Sequence, residues 1–152
     1  MTVRVFASPL QLLDAVGDEV GPGDPHPVTQ ETISLFADAT GDHQWIHIDA
    51  ERAAAGPFGR TVAHGFLTLS LIPVLVRGLY RVEGARMAVN YGLNRVRFPA
   101  PVRSGDEVRA VAAILAAEET GGAVQLTARV TITVEGAEKP ACVAEVVTRY
   151  YP

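Results

Sequence analysis

The sequence contains few of the residues that mark specialised protein classes. Its 152 residues include one cysteine, Cys142, so no disulfide can form within a chain, and this usage is typical of a reducing compartment. Aromatic residues make up only 7%, and 13 basic residues stand against 17 acidic ones, which gives a net charge of -4 at pH 7. This balance disfavours a general nucleic-acid binder, which needs a basic surface.

The sequence also lacks a targeting or membrane-spanning pattern. Residues 1–13 show no basic segment followed by a long apolar run, so we expect no secretion signal. The longest stretch with little charge, residues 62–76, is shorter than the roughly 20 residues of a membrane helix and contains His64 and Pro73. We therefore expect a cytoplasmic protein that does not act on a membrane.

The remaining composition is that of an ordinary globular protein, with 48% hydrophobic and 20% charged residues. No repeat, linker or low-complexity block divides it. We expect one domain over residues 1–152, a length at which a single core buries about two-thirds of the unfolded surface.

Helix boundaries are marked most clearly in the first half of the chain. Residues 9–16 begin with a proline and predict a short helix. Thr29 is a good N-cap and Gly41 a good helix terminator, so a second helix is expected between them. Asp49 predicts the start of another short helix. Residues 42–47 are then expected to form a loop, a common place for catalytic side chains.

The middle of the chain predicts one buried helix over residues 62–79. Its residues are apolar nearly all round, so we expect other structure to surround it. Pro73 should bend this helix, because proline has no N–H to donate to the carbonyl of Leu69.

The last third predicts antiparallel strands over residues 108–115, 124–134 and 141–150, with a turn at Gly121–Gly122. One buried helix followed by long strands indicates an α+β fold in which a sheet wraps around the helix.

Asp42 and His47 are the first candidate site residues. A carboxylate and an imidazole that share one water molecule form a plausible acid–base pair. From spacing alone, an aspartate N-cap beside a hydrogen-bonded loop histidine explains the two residues equally well.

A metal site would combine His43 and His47 with acidic neighbours or His64, but Gln44 stands where the glutamate of an H-E-x-x-H motif would be. We therefore expect no metal.

Two further candidates lie later in the chain. Gly65 follows His64 at the expected start of the buried helix, where free N–H groups can form an oxyanion hole; close packing is the alternative role for this glycine. Arg95, Arg97 and Arg103 provide positive charge in an acidic protein and could hold an anionic ligand, although a solvated strand edge also explains them.

Three motifs occur together and resemble one family. They are F-A-D-A-T-G-D-x-x-x-x-H at residues 36–47, A-H-G at residues 63–65, and F-P-A-P-V at residues 98–102 followed by Gly105–Asp106. Their order and spacing are similar to those of the MaoC-like (R)-specific enoyl-CoA hydratases, in particular the short bacterial members. The chain differs at Gln44–Trp45, where the commoner motif has asparagine and proline.

The resemblance implies a hot-dog fold, a homodimer, and the hydration of trans-2-enoyl-CoA to (R)-3-hydroxyacyl-CoA in fatty acid metabolism. It assigns acid–base catalysis to Asp42 and His47 and the oxyanion-binding N–H to Gly65. The arginines would contact the phosphates of coenzyme A. The reaction requires no metal, flavin or nicotinamide cofactor.

Two other functions are compatible with this fold. An acyl-CoA thioesterase usually has a carboxylate on the central helix, and residues 62–76 contain none. A non-catalytic acyl-CoA-binding subunit would not need the Asp42–His47 pair, so its presence favours an enzyme.

Overall fold

A computed structural model describes residues 1–152 as eight strands, five α-helices and a 3-10 helix. The 3-10 helix spans Pro9–Ala15, close to the predicted range. The strands and α-helices in chain order are β1 (Arg4–Phe6), β2 (Glu19–Val20), β3 (His26–Pro27), α1 (Gln30–Thr40), α2 (Trp45–Ile48), α3 (Ala50–Ala54), α4 (Gly65–Ser70), α5 (Ile72–Arg77), β4 (Tyr80–Val82), β5 (Met87–Arg97), β6 (Glu107–Thr120), β7 (Ala123–Val134) and β8 (Cys142–Tyr151).

The main sheet is antiparallel, with strand order β2-β6-β7-β8-β5 and with β3 also paired to β6. Strands β1 and β4 form a separate parallel pair. The predicted turn between β6 and β7 is confirmed, since Gly121 and Gly122 both have positive φ, a conformation that glycine adopts without strain. The predicted α+β architecture is also confirmed.

The predicted central helix is present, but it is shorter than expected and divided in two. It begins at Gly65 rather than near Val62, and α4 ends at Ser70 before α5 starts at Ile72. Pro73 lies in the first turn of α5, where its missing N–H costs no hydrogen bond. Proline therefore marks a new helix start in this structure instead of a bend within one helix.

One face of α4 and α5 packs on the sheet and contributes to a single core. Burial of each large aliphatic side chain there contributes roughly 1.5–3 kcal/mol. The largest fully buried side chains come from the helices, the sheet and the segments that join them: Leu12, Ile33, Leu79, Ile114, Leu126 and Ile132.

The expectation that the central helix is surrounded on all sides is wrong for a single chain. Phe66 is 71% exposed and Val74 is 40% exposed, because the sheet covers only one face of α4 and α5. The N-terminal half of the chain leaves the opposite face partly open. None of the helices has the length and apolar character needed to cross a bilayer.

The predicted ends of the N-terminal helices are confirmed. The Thr29 hydroxyl accepts a hydrogen bond from the N–H of Thr32, and Gly41 ends α1 with φ of 82°. The Asp49 carboxylate accepts from the N–H of Arg52 at the start of α3. These ends depend on contacts between residues close in the chain, which is why the sequence predicts them well.

The prediction of a loop over residues 42–47 is wrong at its C-terminal end. Trp45 begins the single turn of α2, so His47 lies on a helix. Ile46 is tied to the segment before α4, since its carbonyl accepts from the N–H of Val62 at 2.9 Å. Trp45 occupies the first helical position, where the proline of the commoner motif would also fit, so the turn tolerates this difference.

Cys142 lies at the start of β8 and is fully buried. Burial raises the pKa of its thiol to about 11, so very little reactive thiolate exists near neutral pH. We expect iodoacetamide at pH 8 to leave the folded protein unmodified and to add one carbamidomethyl group after unfolding in guanidinium, as measured by intact mass. Complete labelling of the folded protein would contradict this burial.

Candidate active site

His47 lies on α2 and is only 6% exposed. One of its ring nitrogens, Nδ1, forms a hydrogen bond of 2.7 Å with the carbonyl oxygen of Val62. A carbonyl can only accept, so Nδ1 carries the hydrogen and donates it. In the neutral ring, Nε2 is then left with its lone pair free to accept a proton.

Gln30, at the start of α1, holds the short helix that carries His47. Its side-chain amide nitrogen donates to the carbonyl of His47 at 2.9 Å, and its amide oxygen accepts from the hydroxyl of Thr61 at 2.6 Å. Gln30 thereby joins α1, α2 and the segment before α4. No sequence motif singles out Gln30 or Thr61, because neither residue carries acid–base or metal-binding chemistry of its own.

Asp42 follows the end of α1, with its side chain exposed. One carboxylate oxygen accepts weakly from the N–H of Gln44, at 3.3 Å, so the other oxygen is free. Asp42 and His47 each offer one polar atom, and these atoms lie within 4.8 Å of each other. One water molecule with hydrogen bonds of about 2.8 Å to both atoms spans that separation. The structure therefore brings the two predicted residues together.

His64 is the third member of this group. It is 3% exposed, and its ring stacks on that of His47 with centroids 3.7 Å apart and planes 21° from parallel. Its Nε2 lies 3.0 Å from the backbone carbonyl oxygen of Asp42 and must donate to it. Its Nδ1 is buried without any partner. The sequence suggests His64 as a metal ligand and places it beside Gly65 in the A-H-G motif, but it assigns no catalytic role to this residue.

The three side chains are close enough to suggest a metal site, but the ring geometry does not suit one. An imidazole binds a metal through a lone pair that lies in the plane of the ring. Because the rings of His47 and His64 are stacked and nearly parallel, their lone pairs cannot converge on one ion without rotation of a ring. The arrangement suits a bound water better than a cation.

His43 lies outside this group, although it is only four residues from His47. Its Nε2 is 2.9 Å from a carboxylate oxygen of Asp38 on the surface of α1. This hydrogen bond raises the pKa of His43 above its ordinary value. His43 is thus a surface residue, and it provides a control for substitutions of the buried histidines.

Gly65 is the first residue of α4, and its N–H donates to no acceptor within the chain. A Cβ at this position would lie 3.0 Å from Cδ2 of Phe98, so the ring of Phe98 packs directly against the glycine. Both residues line a cavity of about 270 Å³. The predicted free donor and the predicted close packing are therefore both present at Gly65.

The three predicted arginines do not form one group. Arg95 and Arg97 project from β5 on the face of the sheet away from the helices, where they line a hollow of about 340 Å³ with Arg129 and Glu145. Arg103 instead lies opposite Val62 in an isolated bridge, and its Nε donates to the carbonyl of Phe58. Of the three, only Arg103 adjoins the segment that binds His47.

Known proteins share this sequence and this fold. Residues 11–136 match the model of the MaoC like domain. The chain is 56% identical over 149 residues to 3-hydroxyacyl-thioester dehydratase Z of Mycobacterium tuberculosis, with 97% of this chain and 99% of that protein covered.

Two solved structures extend the similarity to three dimensions. The (R)-hydratase of A. caviae involved in PHA biosynthesis superimposes with a TM-score of 0.69 at 27% identity, covering 90% of this chain and 96% of that one. The R-hydratase PhaJ1 of Pseudomonas aeruginosa gives a TM-score of 0.67 at 26% identity, covering 90% and 81%. On the strength of the domain match and of a relative 56% identical along nearly its whole length, this chain belongs to the MaoC-like domain family.

Proposed function

We propose that this protein is a hydro-lyase that interconverts trans-2-enoyl-CoA and (R)-3-hydroxyacyl-CoA in fatty acid metabolism. The observation that carries the proposal is the placement of the Asp42 carboxylate within 4.8 Å of the His47 ring, whose tautomer is set by Val62. The names of the similar dehydratase and (R)-hydratases support the same reaction class.

In the hydration direction, Asp42 and His47 would hold one water molecule between them. The water oxygen bonds to C3 of the substrate while one of its protons passes to the pair, and a proton returns to C2. The double bond is consumed, and the net addition is one H and one OH. Such acid–base assistance accounts for rate factors of about 10²–10⁴ for each group.

The negative charge that develops during the attack lies on the thioester oxygen. The free N–H of Gly65 is the donor we assign to that oxygen, since it begins α4 and faces no acceptor in the chain. A donor placed in advance stabilises the transition state without reorganisation. Hydration involves no net oxidation or reduction, so the reaction needs no redox cofactor.

Only one of the predicted coenzyme A contacts is retained in this proposal. Arg103 adjoins Val62, whose carbonyl orients His47, so its guanidinium is the one we assign to a phosphate of coenzyme A. Arg95 and Arg97 lie on the other face of the sheet and have no place in this site.

The decisive experiment is incubation with crotonyl-CoA. We expect loss of the enoyl absorbance without release of free thiol, and a product that chiral chromatography identifies as (R)-3-hydroxybutyryl-CoA. Release of free coenzyme A would indicate a thioesterase. Binding without any change of the substrate would indicate a non-catalytic subunit.

We also propose that two copies form a homodimer through β5. This strand of 11 residues is the last in the sheet and bonds only to β8, so its other edge is free. Val89, Tyr91 and Leu93 are between 41% and 58% exposed. A long, apolar, unpaired edge favours association with another strand, and twofold symmetry is the commonest solution.

A homodimer has twice the molecular mass of one chain, which can be measured in solution. We expect light scattering to give twice the chain mass of 16.2 kDa, or a multiple of it. Lysine in place of the exposed Leu93 should shift the protein toward monomer, because a charged side chain on an edge strand disfavours pairing with a second chain. A fully active monomer of the unaltered protein at low concentration would contradict the dimer.

A further inference from the structure

We propose that His64 is a positioning residue that orients both members of the acid–base pair, one through the backbone and the other through its ring. This inference rests on the proposed function, because it assigns His64 a part in the same reaction. His64 does not need to touch the substrate for this role. Its contacts with Asp42 and His47 carry the argument.

The contact with Asp42 compensates for weak anchoring of that residue. Asp42 is exposed and follows the end of α1, and its carboxylate has a single long hydrogen bond, from Gln44. The Nε2–H of His64 donates to the backbone carbonyl of Asp42 at 3.0 Å. This bond ties the turn that carries the carboxylate to the start of α4, which is set by the core through Leu67.

The contact with His47 restrains the ring that has to accept a proton. The His64 ring stacks on His47 at 3.7 Å on one side and contacts Phe36 at 4.9 Å, with the two planes tilted by 54°. His47 therefore has a fixed surface against one face while its Nδ1 bonds to Val62. Rotation of the ring, which would break that bond and change the tautomer, requires displacement of His64.

The unpaired Nδ1 of His64 argues against a purely structural role. A buried polar atom without a partner is rare in folded proteins, because its desolvation is not compensated. A phenylalanine at this position would pack between Phe36 and His47 without a buried ring nitrogen, but it would leave the carbonyl of Asp42 without this donor. The histidine provides what phenylalanine cannot, namely the N–H that holds Asp42.

Three variants separate the two contacts. His64→Phe keeps a ring against His47 but loses the N–H, His64→Gln keeps an N–H at a similar reach but loses the ring, and His64→Ala loses both. Misplacement by about 1 Å can cost about 10² in rate, so we expect His64→Ala to lower kcat about 10²-fold with little change in KM. The Phe and Gln variants should retain intermediate activity.

The activity measurements need controls for folding. Circular dichroism and thermal melting of each variant report the folded fraction, and His43→Ala serves as the matched surface substitution. Wild-type kcat in His64→Ala would overturn the proposal. A loss of activity in all three variants that only follows the unfolded fraction would also overturn it, since the role would then be structural.

A second measurement does not depend on the reaction. Nitrogen-15 spectra of the imidazole rings show which nitrogen of His47 carries the hydrogen. We expect Nδ1–H in the wild type and in His64→Phe, and a mixture of tautomers in His64→Ala. An unchanged tautomer in His64→Ala would overturn the role in orienting His47. A wild type that shows this pattern but does not hydrate crotonyl-CoA would support the positioning role while refuting the proposed function.

Discussion

Asp42→Asn and His47→Gln should each lower kcat for crotonyl-CoA by about 10²–10⁴, the usual effect of losing an acid–base group. Asparagine is close in shape to aspartate and can still accept from the N–H of Gln44, but it cannot take a proton. Glutamine cannot replace the ring nitrogen that His47 presents beside Asp42. The measurement is steady-state kinetics on folded protein, with the enoyl absorbance as the readout.

The double variant makes this prediction sharper. Since the two residues are assigned to one water molecule, removing both should cost about as much as removing the more important one, because groups that act as a unit are not additive. His43→Ala should be close to wild type, as the side-chain hydrogen bond of His43 is to the surface carboxylate of Asp38 and not to Asp42 or His47. Normal turnover in either folded single variant would remove that residue from the mechanism.

Gly65→Pro should lower kcat by about 10²–10³ relative to Gly65→Ala, the scale for loss of one oxyanion donor. Proline has no N–H, so this substitution removes the assigned donor itself. The local backbone accepts it: Gly65 is the first residue of α4, which suits proline. His64 has φ of -56° and ψ of 139°, so it already lies outside the α region that proline disfavours in the residue before it.

Gly65→Ala is the matched control for this experiment. Alanine and proline both introduce a Cβ, which would lie 3.0 Å from Cδ2 of Phe98, so both variants carry the packing cost of that atom. Only alanine retains the N–H. If the two variants hydrate crotonyl-CoA at the same rate, the N–H of Gly65 is not the oxyanion donor, whatever the absolute loss.

Local contacts explain what the sequence alone predicts well. The side chain of Thr29 and the positive φ of Gly41 set the two ends of α1, and Gly121–Gly122 turns β6 into β7. Each of these features depends on residues within a few positions of one another. The alternating pattern of the strands then indicates which of their faces is buried.

Contacts between distant segments determine the site. His64 is 22 residues from Asp42 and Gln30 is 17 residues from His47. Hydrophobic periodicity and helix-capping patterns cannot predict contacts between residues this far apart in the sequence. The arginines show the same limit, since Arg95 and Arg103 are near in sequence but lie in different parts of the fold.

The sequence by itself determined the α+β class, the caps of α1 and α3, the strands β6, β7 and β8, and the choice of Asp42 and His47 as candidates, because these follow from short-range chemistry and from motifs. It did not predict β1 to β5 individually. Only the tertiary structure decided that His47 lies on a helical turn, that Val62 sets its tautomer, and that His64 stacks on it. The physical reason is that these contacts form only when α1, α2 and α4 are brought together by burial of their apolar faces against the sheet.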